Sequence, residues 1–235
     1  MKLLALDTAT ELCSAALWLD GASLTREDSR PRAAGELILG MIQSLLAEAG
    51  LTLAGLDAIG FGRGPGGFTG VRLATTVAQG LGFAAGLPLL PISDLRALAQ
   101  QAGSQPDAAR CVLVCQDARM GQVYWGCFET AGTRPRIALP VTAPGAMEEA
   151  VADPAAVRLP EPWEASAVCG AGSGFEAYPY LGSRPDLPLS PIWGGMRPRA
   201  LEIACLAAFD GLSVAVAPEL AQPVYLRDEV TARRS

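Results

Sequence analysis

The sequence predicts an α/β fold in which one structural plan is used twice. An apolar strand ending in aspartate occurs at Leu3–Asp7 and again at Cys111–Asp117, and each is followed by a second strand. A glycine cluster follows further on in each half, at Gly62–Gly70 and at Gly170–Gly174. The aspartates lie 110 residues apart and the first glycines of the clusters 108 apart, so both features repeat at nearly one offset. Strands alternating with helical stretches complete the α/β reading.

Residues 2–9 read as an apolar strand, 12–19 as a second strand reaching the turn Asp20-Gly21, and 22–28 as a third. Residues 35–49 carry Ile38, Met41, Ile42, Leu45, Leu46 and Ala49 at helical spacing, with Leu37 widening the stripe. A strand at 56–62 enters the glycine loop, and a helix over 70–85 leaves it with Thr69 as its cap. Leu87–Ser93 is a short strand and 94–102 a helix, for which Asp94 is a candidate cap. These elements make a first lobe over residues 1–105.

The second lobe spans 106–235. Its strands at 111–117 and 123–128 match the first pair, and 131–165, rich in Pro, Ala and Glu, reads as a variable connection. Met196–Asp210 is the last helix, with Pro198 in its first turn. Pro223-Val224-Tyr225-Leu226-Arg227 reads as a terminal strand or arm.

Composition excludes several function classes. The chain has 235 residues, half of them hydrophobic, enough to bury roughly 70–75% of its unfolded surface. Its net charge is −6 and no basic run is present, which argues against free-standing nucleic-acid binding. No apolar run approaches the roughly 20 residues of a membrane span. Asp7 interrupts the N-terminus too early for a signal peptide, so the expected compartment is the cytoplasm. There is no histidine, which removes histidine-based triads, general bases and most catalytic zinc sites. Lys2 is the only lysine. The six cysteines contain no C-x-x-C pair, and Cys111 and Cys115, about 13 Å apart along one strand, are too distant for a disulfide. They read as small buried residues of a reducing compartment.

The loop Gly62-Arg63-Gly64-Pro65-Gly66-Gly67-Phe68-Thr69-Gly70 lets backbone come close to another group. Gly62-x-Gly64-x-x-Gly67 satisfies a dinucleotide-binding spacing, yet Leu87-Pro88-Leu89 stands where the acidic partner belongs. The P-loop spacing also fits, but Phe68 replaces its lysine and Pro65 lacks an N–H for a phosphate cradle. The remaining reading is a tight turn feeding a helix. In that helix Gly70, Ala74, Ala78, Gly82 and Gly86 recur every four residues on one face. Glycines inside a helix cost about 1 kcal/mol each relative to alanine, which a close backbone partner can offset. That partner is either the chain's own sheet or a second chain.

A duplicated plan with an aspartate ending each first strand suggests an actin-like, ribonuclease H-like architecture: two similar lobes of mixed sheet flanked by helices. In ATPases of this architecture the aspartates hold Mg²⁺ and the glycine loops surround phosphates. Asp7, Gly64, Asp117 and Gly172 are the candidates here for a degenerate nucleotide site. The alternative is that Asp7 and Asp117 cap turns through their carboxylates.

Four stretches carry a more specific resemblance: Leu4-Ala5-Leu6-Asp7-Thr8-Ala9-Thr10-Glu11, Gly64-Pro65-Gly66-Gly67-Phe68-Thr69-Gly70-Val71-Arg72, Asp117-Ala118-Arg119-Met120-Gly121-Gln122-Val123-Tyr124-Trp125 and Pro223-Val224-Tyr225-Leu226-Arg227. In this order, and across nearly the whole chain, they resemble the TsaB (YeaZ) family. Gly67 stands where that family usually has serine, and a histidine common near the start of its first helix is absent.

The resemblance implies a non-catalytic partner subunit in threonylcarbamoyl transfer to the adenosine beside the anticodon of certain tRNAs. It implies pairing with a TsaD-type transferase, which carries a histidine-built metal site, and with a TsaE-type ATPase. A homodimer is implied when the chain is alone, and tRNA is met only through the complex. No cofactor of its own is implied; ATP and Mg²⁺ belong to the complex. The implied subunit surface is the helix pair 35–49 and 70–85, with Leu37, Met41, Leu45, Gly70, Ala74, Ala78 and Gly82 as candidates. The competing reading is an active ATPase or sugar-kinase-like phosphotransferase using Asp7, Asp117 and both glycine loops. A peptidase finds no triad, metal cluster or activated nucleophile.

Overall fold

The computed structural model describes residues 1–30, 34–131, 137–140, 149–161, 163 and 167–227. In chain order the elements are β1 (Lys2–Asp7), β2 (Cys13–Leu19), β3 (Ala22–Asp28), α1 (Ala34–Ala49), β4 (Ala58–Gly62), α2 (Phe68–Ala85), β5 (Leu89–Ile92) and α3 (Asp94–Gly103). There follow β6 (Cys111–Arg119), β7 (Gln122–Ala131), β8 (Ile137–Pro140), β9 (Ala150–Ala152), β10 (Val168–Ala171), α4 (Gly174–Ala177), β11 (Leu189–Trp193) and α5 (Ala200–Asp210).

The duplication is visible in the strand order. The first sheet runs β3-β2-β1-β4-β5, and the second, from its hairpin edge, β8-β7-β6-β10-β11, with β9 also on β7. In each, a meander of antiparallel strands is extended by two parallel ones. The Asp20-Gly21 turn has positive φ at both residues (53° and 102°), as a two-residue hairpin turn requires. Part of the 131–165 connection lies outside the described residues; the described part supplies β8 and β9.

Central strands are buried on both faces, which is why they read as unbroken apolar runs. Leu4 and Leu6 join one core with Ile59, Phe61, α1 and α2, while Leu3 and Ala5 join another with α5. The helices are exchanged between lobes. α3 packs on the second sheet through Leu95, Leu98, Ala99 and Ala102. α5, from the end of the chain, packs on the first through Ala200, Ile203, Ala204 and Ala207. Arg96 of α3 and Asp210 of α5 form a mostly buried, two-pronged ion pair, with Nη1–Oδ2 2.6 Å and Nη2–Oδ1 2.9 Å.

Three helix starts differ from the sequence reading. α2 begins at Phe68 with Gly67 at its cap position, where the Gly67 carbonyl accepts the first helical bond from Val71 N–H (3.0 Å) and its N–H is held by the Ala9 carbonyl (2.7 Å); Thr69 lies inside the first turn. Ser93 caps α3, its Oγ accepting from Arg96 N–H, which frees Asp94 to point elsewhere. α5 begins at Ala200, so Pro198 lies before it; Ser14 Oγ of β2 accepts the first helical N–H (2.9 Å).

The small-residue stripe of α2 serves the chain's own sheet. Ala74 and Ala78 are fully buried, and a Cβ on Gly82 would stand 2.7 Å from Leu89 Cδ2. Leu45 is likewise in the core. These four are therefore not a free subunit surface, because α1 and α2 use that face to cover β1, β2 and β4. Leu37 and Met41 are partly buried beside them. Ala78→Arg is expected to abolish the cooperative thermal transition, since a buried charge without a partner costs well over about 4 kcal/mol; a melt like the parent's would refute this packing.

Candidate functional site

The two lobes face each other across a cleft of about 880 Å³. From the first lobe it is lined by Thr8–Glu11 after β1 and by Gly66–Gly70 with Arg72. The second lobe contributes Gln116–Arg119, Tyr124, Ser173 and Glu176, and the C-terminal arm contributes Val224–Arg227.

Asp7 does not face this cleft. It is completely buried, with Oδ1 accepting from Ala9 N–H (2.9 Å). Its carboxyl meets that of Asp94, also fully buried, and the two straddle Gly62: a Cβ there would lie 2.6 Å from an oxygen of each. Asp94 Oδ2 accepts from Gly64 N–H (2.5 Å). Asp7 Oδ2 and Asp94 Oδ1 have no other partner, as expected when the two carboxyls share a proton between them. Burial raises the pKa of Asp7 to about 6, against the backbone N–H groups that stabilise its charge. Asp94 is pushed well above its ordinary value by burial and then by the Asp7 charge. Glu149 adds to the negative field on Asp94.

The remaining nucleotide-site candidates also turn away from a ligand. Gly64, at φ 99°, makes room for the Val224 carbonyl, which a Cβ would meet at 2.8 Å. Gly172, at φ 107°, lies against the neighbouring strand β6, its Cβ position 2.5 Å from the Cys115 carbonyl. Asp117 does reach the cleft, but its carboxylate is ion-paired with Arg119 (3.1 Å) and accepts from Arg119 N–H; its own N–H is held by Ser173 Oγ. An Mg²⁺–nucleotide group of the kind this architecture implies does not fit. One carboxyl is sealed behind Gly62, and the first glycine loop is filled by the chain itself. Gly70 is a further tight contact, its Cβ position 1.9 Å from the Thr8 carbonyl.

Across the cleft Arg197 joins the lobes, with Nε 2.5 Å from Glu11 and Nη2 2.9 Å from Glu176. Sequence reasoning missed Arg197, and saw Asp94 only as a cap, because neither pairing has any local spacing signal.

Comparison with known proteins now adds to this geometry. Residues 31–184 match the family model TsaD, tRNA N6-adenosine threonylcarbamoyltransferase. The chain is 39% identical, over 237 aligned residues, to the tRNA threonylcarbamoyladenosine biosynthesis protein TsaB of Escherichia coli, covering 100% of this chain and 98% of that one. The chain belongs to the TsaB (YeaZ) family. The TsaB protein of Haemophilus influenzae is 48% identical over 125 residues, which is 53% of this chain and 52% of that one. The structure of YeaZ from Pseudomonas aeruginosa superposes with a TM-score of 0.83 at 40% identity, over 96% of this chain and 99% of that one. The family resemblance and the duplicated architecture read from the sequence are thus both established.

The carboxyl pair gives a signed pH prediction. Both folded-state pKa values lie above the unfolded ones, so the protonated forms favour folding and stability falls as pH rises through the folded values. For Asp7 alone the loss is about 3 kcal/mol, complete a unit or so above pH 6. Asp94→Asn replaces the protonated acid with an amide that can still donate to Asp7 and accept from Gly64. Thermal melts from pH 5 to 9 should show the parent losing more stability than Asp94→Asn; equal slopes would contradict the shared proton.

Proposed function

We propose that this chain acts in threonylcarbamoyladenosine formation in tRNA as a non-catalytic subunit, supporting a TsaD-type transferase together with a TsaE-type ATPase. The observation that carries the non-catalytic part is the burial of Asp7: the carboxyl expected to hold a metal is sealed against Asp94, behind Gly62. The absence of histidine from the sequence agrees with this reading. The chain takes no cofactor of its own, meets tRNA through the complex and works in the cytoplasm. No helix among the described residues is long and apolar enough to cross a membrane.

The partner surface is the outer face of α1 and α2, opposite the stripe. Leu39 is 48% exposed and Phe83 79% exposed there. Gly40 and Gly80 lie on the same outer side with open space where a Cβ would be. Exposed apolar side chains beside bare glycine backbone suit close helix-to-helix approach, and two helices can supply much of the 1,200–2,000 Å² or so of a stable interface. The same face serves the TsaD-type partner and a second copy when the chain is alone.

Gly80→Arg should abolish co-purification with the TsaD-type subunit of the same organism while leaving the thermal transition intact. Retained pairing would move the interface elsewhere. Asp117, which does line the cleft beside Ser173, favours the competing phosphotransferase reading. Calorimetry of the isolated chain with ATP and Mg²⁺ separates the two: the expected result is no saturable binding in the micromolar range. Binding lost in Asp117→Asn would instead favour the enzyme.

A further inference from the structure

The C-terminal arm touches both lobes in turn. Gln79 Nε2 of α2 donates to the Ala221 carbonyl (2.9 Å), and Val224 N–H donates to the Arg63 carbonyl (2.7 Å) at the start of the glycine loop. The Tyr225 hydroxyl accepts from Arg72 Nε (2.7 Å), and its ring lies 5.6 Å from that of Phe68. The Arg72 guanidinium covers the Phe68 ring at 3.8 Å, closing a cation–aromatic stack. Two residues later the arm has crossed the cleft. Arg227 Nη2 donates to Gln122 Oε1 (2.7 Å) and to the Ala118 carbonyl (3.1 Å), and Nη1 lies 3.3 Å from Met120 Sδ.

Two local irregularities are shaped to receive it. Gly64 adopts a positive φ and leaves the space that the Val224 carbonyl enters. The β6–β7 ladder shifts register between Asp117 and Arg119, so Ala118 has no partner in the ladder and its carbonyl is free to accept from Arg227. Arg119 and Met120 beside it hold φ values of 63° and 56°, a backbone conformation that costs energy in residues other than glycine. A tight glycine in one lobe and an irregular turn in the other thus meet Val224 and Arg227 of one short segment.

We infer that residues 221–227 are an inter-lobe strap: a piece of the chain that bridges the mouth of the cleft and sets its opening. Tyr225 is the positioning residue on the first lobe and Arg227 the one on the second. The strap acts between lobes, so releasing one anchor loosens the contact at the other. This does not depend on the proposed role in tRNA modification.

Hydrogen exchange on the full chain tests it with two single variants. Tyr225→Ala removes side-chain contacts to Phe68 and Arg72 of the first lobe, yet exchange should rise about tenfold at 117–122 in the second. Arg227→Ala removes contacts to the second lobe, yet exchange should rise comparably at 63–70 in the first. Protection of β1 and β10 should stay at the parent level in both. A rise confined to the residues touching the replaced side chain, a rise spread evenly over both sheets, or no change would overturn the strap. Small-angle scattering should agree, with a larger radius of gyration in both variants; an unchanged radius would also count against it.

Discussion

The packing of two carboxyls around Gly62 is the constraint on which the first lobe depends. β1, β4 and α3 all end or begin at this point, with Asp7, Gly62 and Asp94 as their respective contributions. A side chain at Gly62 would displace both acids, and an unprotonated Asp94 would place two negative charges side by side in a fully buried site. The shared proton resolves this, leaving each acid free to hold one backbone N–H: Ala9 for Asp7 and Gly64 for Asp94. Through those bonds the strand end and the glycine loop are fixed to one another. Gly67 N–H on the Ala9 carbonyl and the close approach of Gly70 to Thr8 extend the same attachment to the first turn of α2. The direction of α2, and so the surface it presents outward, follows from an acid pair deep in the fold.

The exchange of helices between lobes has a similar consequence at larger scale. α3 leaves the first sheet and covers the second, while α5 returns from the second half to cover the first. Neither sheet can bury its second face without a helix that the other half of the chain supplies. The Arg96–Asp210 pair sits where these two helices meet, with most of both side chains removed from water. A bidentate pair of this kind is sensitive to small displacements, because loss of one partner leaves a largely buried charge. Lobe position is therefore set from behind by the exchanged helices and at the cleft by Arg197 and the arm.

Much of this was legible in the sequence, and what was not has a common cause. The strand–hairpin plan, its repetition and the glycine loop are written in local periodicity and turn residues, which is why the two sheets share one strand order. The stripe on α2 was legible as a close-packed face, but its partner was not: a row of alanines and glycines looks the same whether it meets a sheet of its own chain or another subunit. Asp7 was legible as a special residue at a strand end. Its role reversed once Asp94, 87 residues away, closed over it. Arg197 offered no local signal at all, since its partners Glu11 and Glu176 come from different lobes. Side chains whose meaning lies in a distant partner are the ones that pattern reading leaves out.

The acid pair also bears on what holds the end of the first strand and the glycine loop together in this architecture. A carboxyl in the interior carries a desolvation penalty and is retained where it holds something in place. Here Asp7 holds the Ala9 backbone, which holds the glycine loop, which in turn carries both the start of α2 and the Arg63 carbonyl that receives Val224. The glycines and the acid at the positions where this architecture can surround phosphates contact the chain's own backbone. Gly64 admits a carbonyl rather than an anion, and Gly172 admits its neighbouring strand. Glycines, acid and arm thus act together to tie the strand end, the glycine loop and the cleft rims of both lobes to one another.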